Sequence, residues 1–299
     1  MNSSRVETLA PLTDSELRAL LLQYRQENWK GIQPPEIQER IVEGLIHDDV
    51  DGILGPIAEH ANISEKSRIL DLGSGVGSFV VSCRRRGFRA FGVEPDRIGQ
   101  GAQISAIQIA RRRLVEAVFV SGVGEALPFA DSCFDLVVMN QVIEHVSDQT
   151  RVIAEAARVV RTGGVIYVAC PNYLRFYEPH YKIFWLPLMP EVLGRMYLRM
   201  RGRSPAMLSQ LTYTTNRRLR RLFAPLGGEY QVVDLHRQQF LKKRGAGSFA
   251  ARSTRLVSRI TKLPIVGLMA LRGVLWYASL VEGGCEMLII RTPKATAKC

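Results

Sequence analysis

The fold is decided at Ile69-Leu70-Asp71-Leu72-Gly73-Ser74-Gly75-Val76-Gly77, where a short apolar run ends in a turn rich in glycine. With Arg68 at its start, the run predicts a buried strand over Arg68–Leu72, and Phe79–Arg86, which follows the turn, predicts a helix. Glycines in such a turn adopt backbone angles closed to other residues and let a ligand approach the main chain. The N–H groups at the start of the following helix favour a nucleotide-like ligand.

The spacing of the glycines restricts the class of ligand that the turn is expected to bind. Dinucleotide-binding turns read G-x-G-x-x-G, whereas this turn reads G-x-G-x-G and has Ser78 at the next expected position. Asp71 precedes the glycines, and a carboxylate there disfavours a pyrophosphate and favours a cationic amino-acid group. A second carboxylate, Glu94, ends the next predicted strand, 21 residues after Gly73, where it can accept both ribose hydroxyls of an adenosine.

Predicted strands and helices alternate through the middle of the chain. After Arg89–Glu94, strands are expected at Ala117–Ser121, Phe134–Met139 and Gly164–Ala169, and helices at Ile98–Arg113 and Thr150–Val160. These strands are almost wholly apolar, which indicates a parallel sheet covered by helices on both faces.

Helices and strands on either side of this middle part are predicted from helix-capping residues and apolar patterns. Thr13-Asp14-Ser15-Glu16 predicts a capping box, and two more helices are expected from about Pro35 and over Val50–His60. After Pro171 we predict a helix over Arg217–Leu226 and strands at Tyr230–Leu235 and Glu286–Arg291. The predicted divisions are 1–60 (helical), 61–172 (cofactor-binding core), 173–228 (lid and acceptor region) and 229–299, with a helical insertion at 238–283.

Taken together, these segments resemble class I S-adenosylmethionine-dependent methyltransferases of the broad type-11 group. The resemblance covers about Arg68 to Asn172 and rests on Ile69–Gly77, Gly92–Asp96, Gly124–Phe129, Asn140–Val146 and Arg158–Gly164. It implies an α/β Rossmann-like sheet of seven strands with a final antiparallel strand, for which Glu286–Arg291 is suited. It also implies S-adenosyl-L-methionine as cofactor. From the sequence itself we expect a helical lid insertion after the fifth strand, and a helical C-terminal insertion because structureless loops as long as Gln238–Gly283 are rare.

The resemblance also assigns the cofactor site. The implied cofactor-binding residues are Asp71, Gly73, Ser74, Gly75, Gly77, Glu94, Pro95, Gly124, Glu125, Asn140 and Gln141. One position departs from the family, because Val123 stands where many members have an acid that meets the adenine amino group. We therefore expect backbone groups near Gly124 and apolar packing to hold the adenine.

The class of methyl acceptor is inferred from two sequence motifs that are missing and from two histidines that could act as bases. An amine-methylating N-P-P-Y sequence is missing at Asn140–Ile143, and Cys170-Pro171 reverses a Pro-Cys nucleophile pair, so an oxygen acceptor is favoured. The candidate bases are His145, near the expected methyl position, and His180, in a segment expected to fold over the strand ends. The alternatives are that His145 packs a helix start and that His180 belongs to an aromatic lid. The acceptor classes considered are a small molecule, a glycan or a lipid-linked compound.

The composition and charge of the chain limit the cell compartments and the binding partners that we expect for it. The five cysteines are scattered without a C-x-x-C pair, which predicts a reducing cytosol and no metal site, and no secretory signal is seen at Met1–Leu12. The net charge is +12, and Arg195–Lys262 holds sixteen Lys and Arg against two acids. This excess is either an anion-binding patch or a solvated face.

The basic and apolar residues at 242–281 leave two readings open. They can lie on an anionic inner-membrane surface, or they can form a helical subdomain packed on the core.

Three competing functions are considered. RNA methylation is disfavoured by the lack of an RNA-binding module, and a nicotinamide-dependent oxidoreductase is disfavoured by the glycine spacing. The third is a non-catalytic cofactor-binding scaffold. The oligomeric state is left open.

Overall fold

The structure, a computed structural model, describes residues 12–46, 50–97, 104–113, 118–235, 237–238 and 284–292. Nine strands are assigned within these ranges: β1 Arg68–Leu72, β2 Arg89–Glu94, β3 Phe119–Ser121, β4 Phe134–Asn140, β5 Val160–Cys170, β6 Tyr177–Glu178, β7 Ile183–Phe184, β8 Tyr230–Asp234 and β9 Cys285–Arg291. Eight α-helices accompany them: α1 Asp14–Asn28, α2 Pro35–Ile46, α3 Asp51–Ala58, α4 Ser78–Arg85, α5 Ala106–Arg113, α6 Gln149–Val159, α7 Glu191–Met200 and α8 Asn216–Phe223.

Seven strands form one sheet in the order β3-β2-β1-β4-β5-β9-β8. Strands β1 to β5 are parallel, and β9 runs antiparallel to both of its neighbours, β5 and β8. One apolar cluster joins the sheet to α6 and α8, and a second joins its other face to α4 and α5. The predicted Rossmann-like sheet with helices on both faces and a final antiparallel strand is therefore confirmed.

The order of the strands positions the site. Strand β1 lies between β2 and β4, so the chain leaves β1 toward one side of the sheet and later returns on the other. Ligands in open α/β sheets bind at such a switch point, beyond the carboxyl ends of the strands. Those ends carry the glycine turn after β1, Glu94 on β2 and Asn140 on β4.

The predicted capping box at the start of α1 is confirmed. The Thr13 hydroxyl accepts a hydrogen bond from the Glu16 N–H, and the Glu16 carboxylate accepts the Thr13 N–H at 2.8 Å. Apolar side chains of α1, α2 and α5 form a separate cluster beside the sheet. The N-terminal helices thus pack on the domain next to the glycine turn, since Val76 of that turn belongs to the same cluster.

Three predicted boundaries differ from the structure by three residues or more. Strand β5 begins at Val160 rather than Gly164, because Val160 pairs with Phe134 ahead of a register shift in β4. Helix α5 begins at Ala106, since the two residues before it are not helical, and residues 98–103 of that prediction lie outside the described residues. Helix α8 ends at Phe223, and a 3-10 helix over Ala224–Glu229 follows, because Pro225 has no N–H to continue an α-helix.

The predicted basic and apolar insertion lies outside the described residues from position 239 to 283. Across the ranges given above, none of the helices combines the length and hydropathy that a membrane span requires.

Candidate active site

The glycine turn has the positive φ values that its sequence predicts. Gly73, Gly75 and Gly77 have φ values of 77°, 51° and 80°, in the left-handed region that favours glycine. The N–H groups of Gly73 and Ser74 both donate to the Val93 carbonyl, at 2.8 and 3.1 Å, so the turn is tied to β2. Its position relative to the sheet is therefore fixed by the main chain.

Two of these glycines are also required by close packing. A Cβ on Gly73 would lie 2.5 Å from Cγ2 of Val142, and a Cβ on Gly77 would lie 2.7 Å from the Phe119 ring. A Cβ on Gly75 would meet nothing within 4 Å. The middle of the turn therefore faces open space, where a ligand can reach the main chain.

Glu94 faces this open part of the turn. Its carboxylate accepts the Gly75 N–H at 3.0 Å, and burial raises its pKa, which the Gly75 hydrogen bond partly offsets. Asp71 is buried below the turn, with 5% of its surface exposed. The Ser74 hydroxyl is also buried and has no hydrogen-bond partner among the described residues. Polar groups are therefore concentrated at the turn.

The other residues expected to bind the cofactor are distributed along the strand ends. Pro95 follows β2, and Gly124 lies so close to Leu72 that a Cβ there would approach it to 3.2 Å. Asn140 ends β4 and is exposed, and Gln141, at φ 60°, donates its N–H to the Ala169 carbonyl at 2.7 Å. Their roles toward a cofactor stay predictions.

The Glu125 side chain turns toward the protein. Its carboxylate accepts the N–H groups of Ser147 and Asp148, at 3.1 and 3.4 Å, just before α6. Its backbone carbonyl accepts a hydrogen bond from Arg151 at 2.8 Å. The structure thus gives the Glu125 carboxylate two main-chain partners in the segment leading into α6, and its expected contact with the cofactor stays a prediction.

The two candidate bases, 35 residues apart in the chain, meet in the structure. Nε2 of His145 lies 3.2 Å from Nε2 of His180, and the two rings are nearly perpendicular. His180 is buried, whereas 35% of the His145 side chain is exposed. Partial burial and the adjacent His180 lower the pKa of His145 to about 4, so this imidazole is neutral near pH 7.

His180 is oriented by a buried carboxylate that the sequence analysis did not select. Oε1 of Glu178 lies 2.7 Å from Nδ1 of His180, and its Oε2 accepts the Tyr181 N–H at 2.6 Å. The Tyr173 hydroxyl donates to the same carboxylate at 3.4 Å. With Nδ1 donating to Glu178, the Nε2 of His180 is left as an acceptor that faces His145.

A second buried carboxylate, Glu144, faces the histidine pair. Its side chain is fully buried, and neither oxygen has a hydrogen-bond partner among the described residues. Oε1 lies 3.9 Å from Nε2 of His145 and 4.0 Å from Nε2 of His180. Burial raises the pKa of Glu144 to about 7, with an opposing effect from its own backbone N–H. Its one signal in the sequence is its position directly before His145.

The N-terminal helices hold the loop that carries His180. The Gln33 amide donates to the His180 carbonyl, and its oxygen accepts the Arg25 guanidinium at 2.7 Å. Arg25 stacks over the Trp29 ring, and burial lowers the pKa of Arg25 to about 10. Nothing in the sequence pattern signals this support, because it joins a helical segment to a loop almost 150 residues later.

Val142 connects the histidine pair to the glycine turn. Its side chain packs against the Gly73 Cα, and its carbonyl accepts the His145 N–H at 2.8 Å. The predicted cofactor turn and the two predicted bases therefore lie on either side of one residue.

An apolar surface extends from the hairpin that carries His180. Nine of its large apolar side chains are exposed: Phe176, Tyr177, Phe184, Leu186, Leu188, Val192, Leu193, Met196 and Met200. We call these residues the apolar face. Phe176 and Phe184 stack on each other, and Trp185 is buried behind them with Tyr181. Six basic residues occur in the same segment: Arg175, Lys182, Arg195, Arg199, Arg201 and Arg203.

Comparison with known proteins gives one family and several relatives. Residues 70–168 match the model of a family described as "Methyltransferase domain". An uncharacterized methyltransferase of Mycolicibacterium vanbaalenii is 30% identical over 54% of this chain and 62% of its own length. A ubiquinone/menaquinone biosynthesis C-methyltransferase, UbiE, of Xylella fastidiosa is 29% identical over 46% of this chain and 56% of its own length.

A solved structure gives a weaker likeness. Phosphoethanolamine N-methyltransferase 2 of Haemonchus contortus, in complex with S-adenosyl-L-methionine, is 14% identical, with a TM-score of 0.48. The match covers 94% of this chain and 58% of that one. The chain spans little more than half the length of the curated relatives it matches. The resemblance to class I methyltransferases is confirmed for the domain at residues 70–168.

Proposed function

We propose that this chain transfers a methyl group from S-adenosyl-L-methionine to a hydroxyl oxygen of a lipid-linked acceptor. The observation that carries the proposal is the place of Val142, between the glycine turn and the His145–His180 pair. Methyl transfer is an in-line displacement, so donor and acceptor must be held about 3–3.5 Å apart. The contact of Val142 with both groups supports a donor on the turn and an acceptor at the histidines.

The turn fits the proposed cofactor. The open space beside Gly75, the buried Ser74 hydroxyl and the Glu94 carboxylate offer polar contacts to an adenosine and an amino-acid group. When bound, the cofactor supplies the methyl group on a sulfonium. Asp71, Gly73 and Glu94 then position its polar groups, and the exposed edge of His145 faces the acceptor.

An oxygen acceptor is favoured because the amine-methylating N-P-P-Y sequence is missing at Asn140–Ile143. As the hydroxyl oxygen bonds to the methyl carbon, the bond from that carbon to the sulfonium sulfur would break and the hydroxyl would lose its proton, a loss that a positioned base assists. We assign the task to the cluster of Glu144, His145 and His180. The UbiE relative is named a C-methyltransferase, and a product methylated on carbon would overturn the oxygen assignment.

The lipid-linked acceptor is inferred from the apolar face. Apolar patches of this kind on soluble domains mark interaction surfaces. The face flanks the hairpin of His180, and the basic residues around it suit the phosphates of a lipid headgroup or a lipid-linked anion. The only acids of this segment are Glu178, which is buried, and Glu191, which pairs with Arg195 at 2.6 Å. Charge and hydropathy together favour an anionic lipid surface that presents the acceptor.

The test uses methyl-labelled cofactor with anionic vesicles that carry extracted lipids. Label is expected in the lipid fraction, on oxygen by NMR of the product. Met196→Glu is expected to reduce both labelling and vesicle binding, because it places a charge in the apolar face. Val232→Glu, at an exposed position on β8, is the matched control and is expected to change neither. Label that enters only RNA, protein or water-soluble compounds would overturn the lipid assignment.

A second measurement separates acceptor chemistry from cofactor binding. His180→Ala is expected to reduce turnover far more than cofactor affinity, because His180 lies in the cluster and not in the turn. His60→Ala is the control, since His60 bonds to Gln238 elsewhere. Unchanged turnover of His180→Ala at saturating acceptor removes His180 from the reaction.

A further inference from the structure

We propose that Glu144, His145 and His180 bind one divalent transition-metal ion, of the class that zinc represents. From the sequence we expect no metal site, because the five cysteines are scattered without a C-x-x-C pair. The fold brings the three side chains together at the end of β4, with one atom of each within 4.8 Å of the others.

The distances between the three atoms match a shared ion. Nε2 of His145, Nε2 of His180 and Oε1 of Glu144 form a triangle with sides of 3.2, 3.9 and 4.0 Å. A circle through these corners has a radius of about 2.2 Å, so its centre is that far from all three atoms. Zinc bonds to imidazole nitrogen and carboxylate oxygen are about 2.0–2.2 Å long. An ion at or just above this centre therefore bonds to all three without rearrangement of the backbone.

The burial of the Glu144 carboxylate favours a bound cation. Glu144 is fully buried and has no hydrogen-bond partner in the part of the chain that the structure describes, which is unfavourable for a carboxylate because burial removes the water that solvates it. The backbone of Glu144 is held in place, since its carbonyl accepts the Thr212 N–H at 2.8 Å. The side chain nevertheless points at two imidazole nitrogens that are about 4 Å away, beyond hydrogen-bond distance. A bound ion would compensate the carboxylate in this position.

Glu178 has the arrangement of a carboxylate behind a metal ligand. Histidines that bind a metal commonly donate their other ring N–H to a carboxylate, which fixes the tautomer and the orientation of the ring. Nδ1 of His180 lies 2.7 Å from Oε1 of Glu178, and Glu178 is itself anchored by the Tyr181 N–H. The lone pair of Nε2 therefore points toward His145 and Glu144.

The site has the ligand number of a reactive centre. Structural zinc sites have four protein ligands, whereas catalytic sites have three and keep a position for water or substrate. The exposed edge of His145 connects this site to solvent. If the proposed function holds, the open position takes the acceptor hydroxyl, because a bound divalent ion makes a hydroxyl easier to ionise. With the ion bound, the cluster assists the loss of the proton through the ion, and the proton passes to solvent at the exposed edge of His145. This role rests on the proposed function, whereas the binding of the ion does not.

The test measures metal binding directly. The full chain, freed of any affinity tag and stripped by a chelator, is titrated with Zn²⁺ against a chromophoric competitor and with Co²⁺ by visible absorption. We expect one ion per chain and the Co²⁺ spectrum of a nitrogen- and oxygen-ligated ion. Glu144→Gln and His180→Ala are each expected to weaken Zn²⁺ binding by about a hundredfold or more, and Glu178→Gln by about 10–100-fold.

Two controls keep the outcome decisive. His60→Ala removes a histidine away from the cluster and is expected to leave the Zn²⁺ affinity unchanged. Circular dichroism and thermal unfolding show whether each variant folds. The proposal is overturned if the wild-type chain binds Zn²⁺ and Co²⁺ no more tightly than folded Glu144→Gln.

Metal binding and methyl transfer are separated by comparing the stripped and reloaded chain. One tightly bound ion in a chain that methylates no acceptor contradicts the proposed function and leaves the site standing. Methyl transfer by a chain that binds no ion contradicts the site and leaves the proposed function standing. Equal turnover with and without a bound ion overturns the role in activating the hydroxyl.

Discussion

Gly73→Ala tests the contact that joins the glycine turn to the acceptor side of the site. The left-handed φ of 77° disfavours a side chain by about 1–2 kcal/mol. In addition, the new Cβ would lie 2.5 Å from Cγ2 and 3.0 Å from Cγ1 of Val142, and such overpacking costs about 1–3 kcal/mol. We therefore expect the free energy of unfolding to fall by about 2–5 kcal/mol, measured by urea titration and linear extrapolation.

Two further variants separate backbone strain from the clash. Gly75→Ala also has a left-handed φ but meets no atom within 4 Å, so we expect a loss of only about 1–2 kcal/mol. Val142→Ala removes the methyl groups that oppose the new Cβ, so the double variant is expected to recover about 1–3 kcal/mol relative to additivity. Equal losses for the two glycine variants, or strict additivity in the double-mutant cycle, would refute the reasoning.

Three other expectations concern cofactor affinity and stability. Glu94→Ala is expected to raise the cofactor Kd about 10–100-fold in calorimetry, because hydrogen bonds to a charged acceptor contribute about 1.5–3 kcal/mol; an unchanged Kd contradicts the assignment of Glu94. Thr13→Ala removes the capping box of α1 and is expected to lower stability by about 1 kcal/mol, whereas Thr13→Ser retains most of it in the same thermal melt. Arg158→Ala removes hydrogen bonds to the carbonyls of Leu127 and Phe129, so we expect a loss of about 1–3 kcal/mol in urea unfolding; a loss below about 0.5 kcal/mol would mean that solvent replaces these bonds.

The sheet could be predicted because its residues carry local signals. Apolar runs with sharp ends predicted the bounds of β1 and β2 without error and those of β4 and β9 to within one residue. The start of β5 could not be predicted, since Gly163 and Gly164 indicate a turn in the sequence. Pairing between Val160 and Phe134 extends the strand across them.

Only some of the residues of the candidate site could be predicted from the sequence. His145 and His180 could be selected as reactive residue types, but their contact depends on how the segment after β5 folds over the strand ends. Glu144 and Glu178 carry no pattern that separates them from surface acids, and burial alone gives them their significance. Gln33 acts through a single long-range contact, for which a sequence has no periodic signal.

The position of β9 has a consequence for biosynthesis. About 115 residues separate β9 from its partner β5, and about fifty separate it from β8. On the ribosome, β5 is therefore made long before the strand that covers its outer edge, and β8 has no neighbour to join. An apolar strand with an unpaired edge is a template for aggregation, and pairing over such distances is slow. We expect nascent chains of this protein to need chaperone protection until β9 emerges, a vulnerability that the finished sheet no longer has.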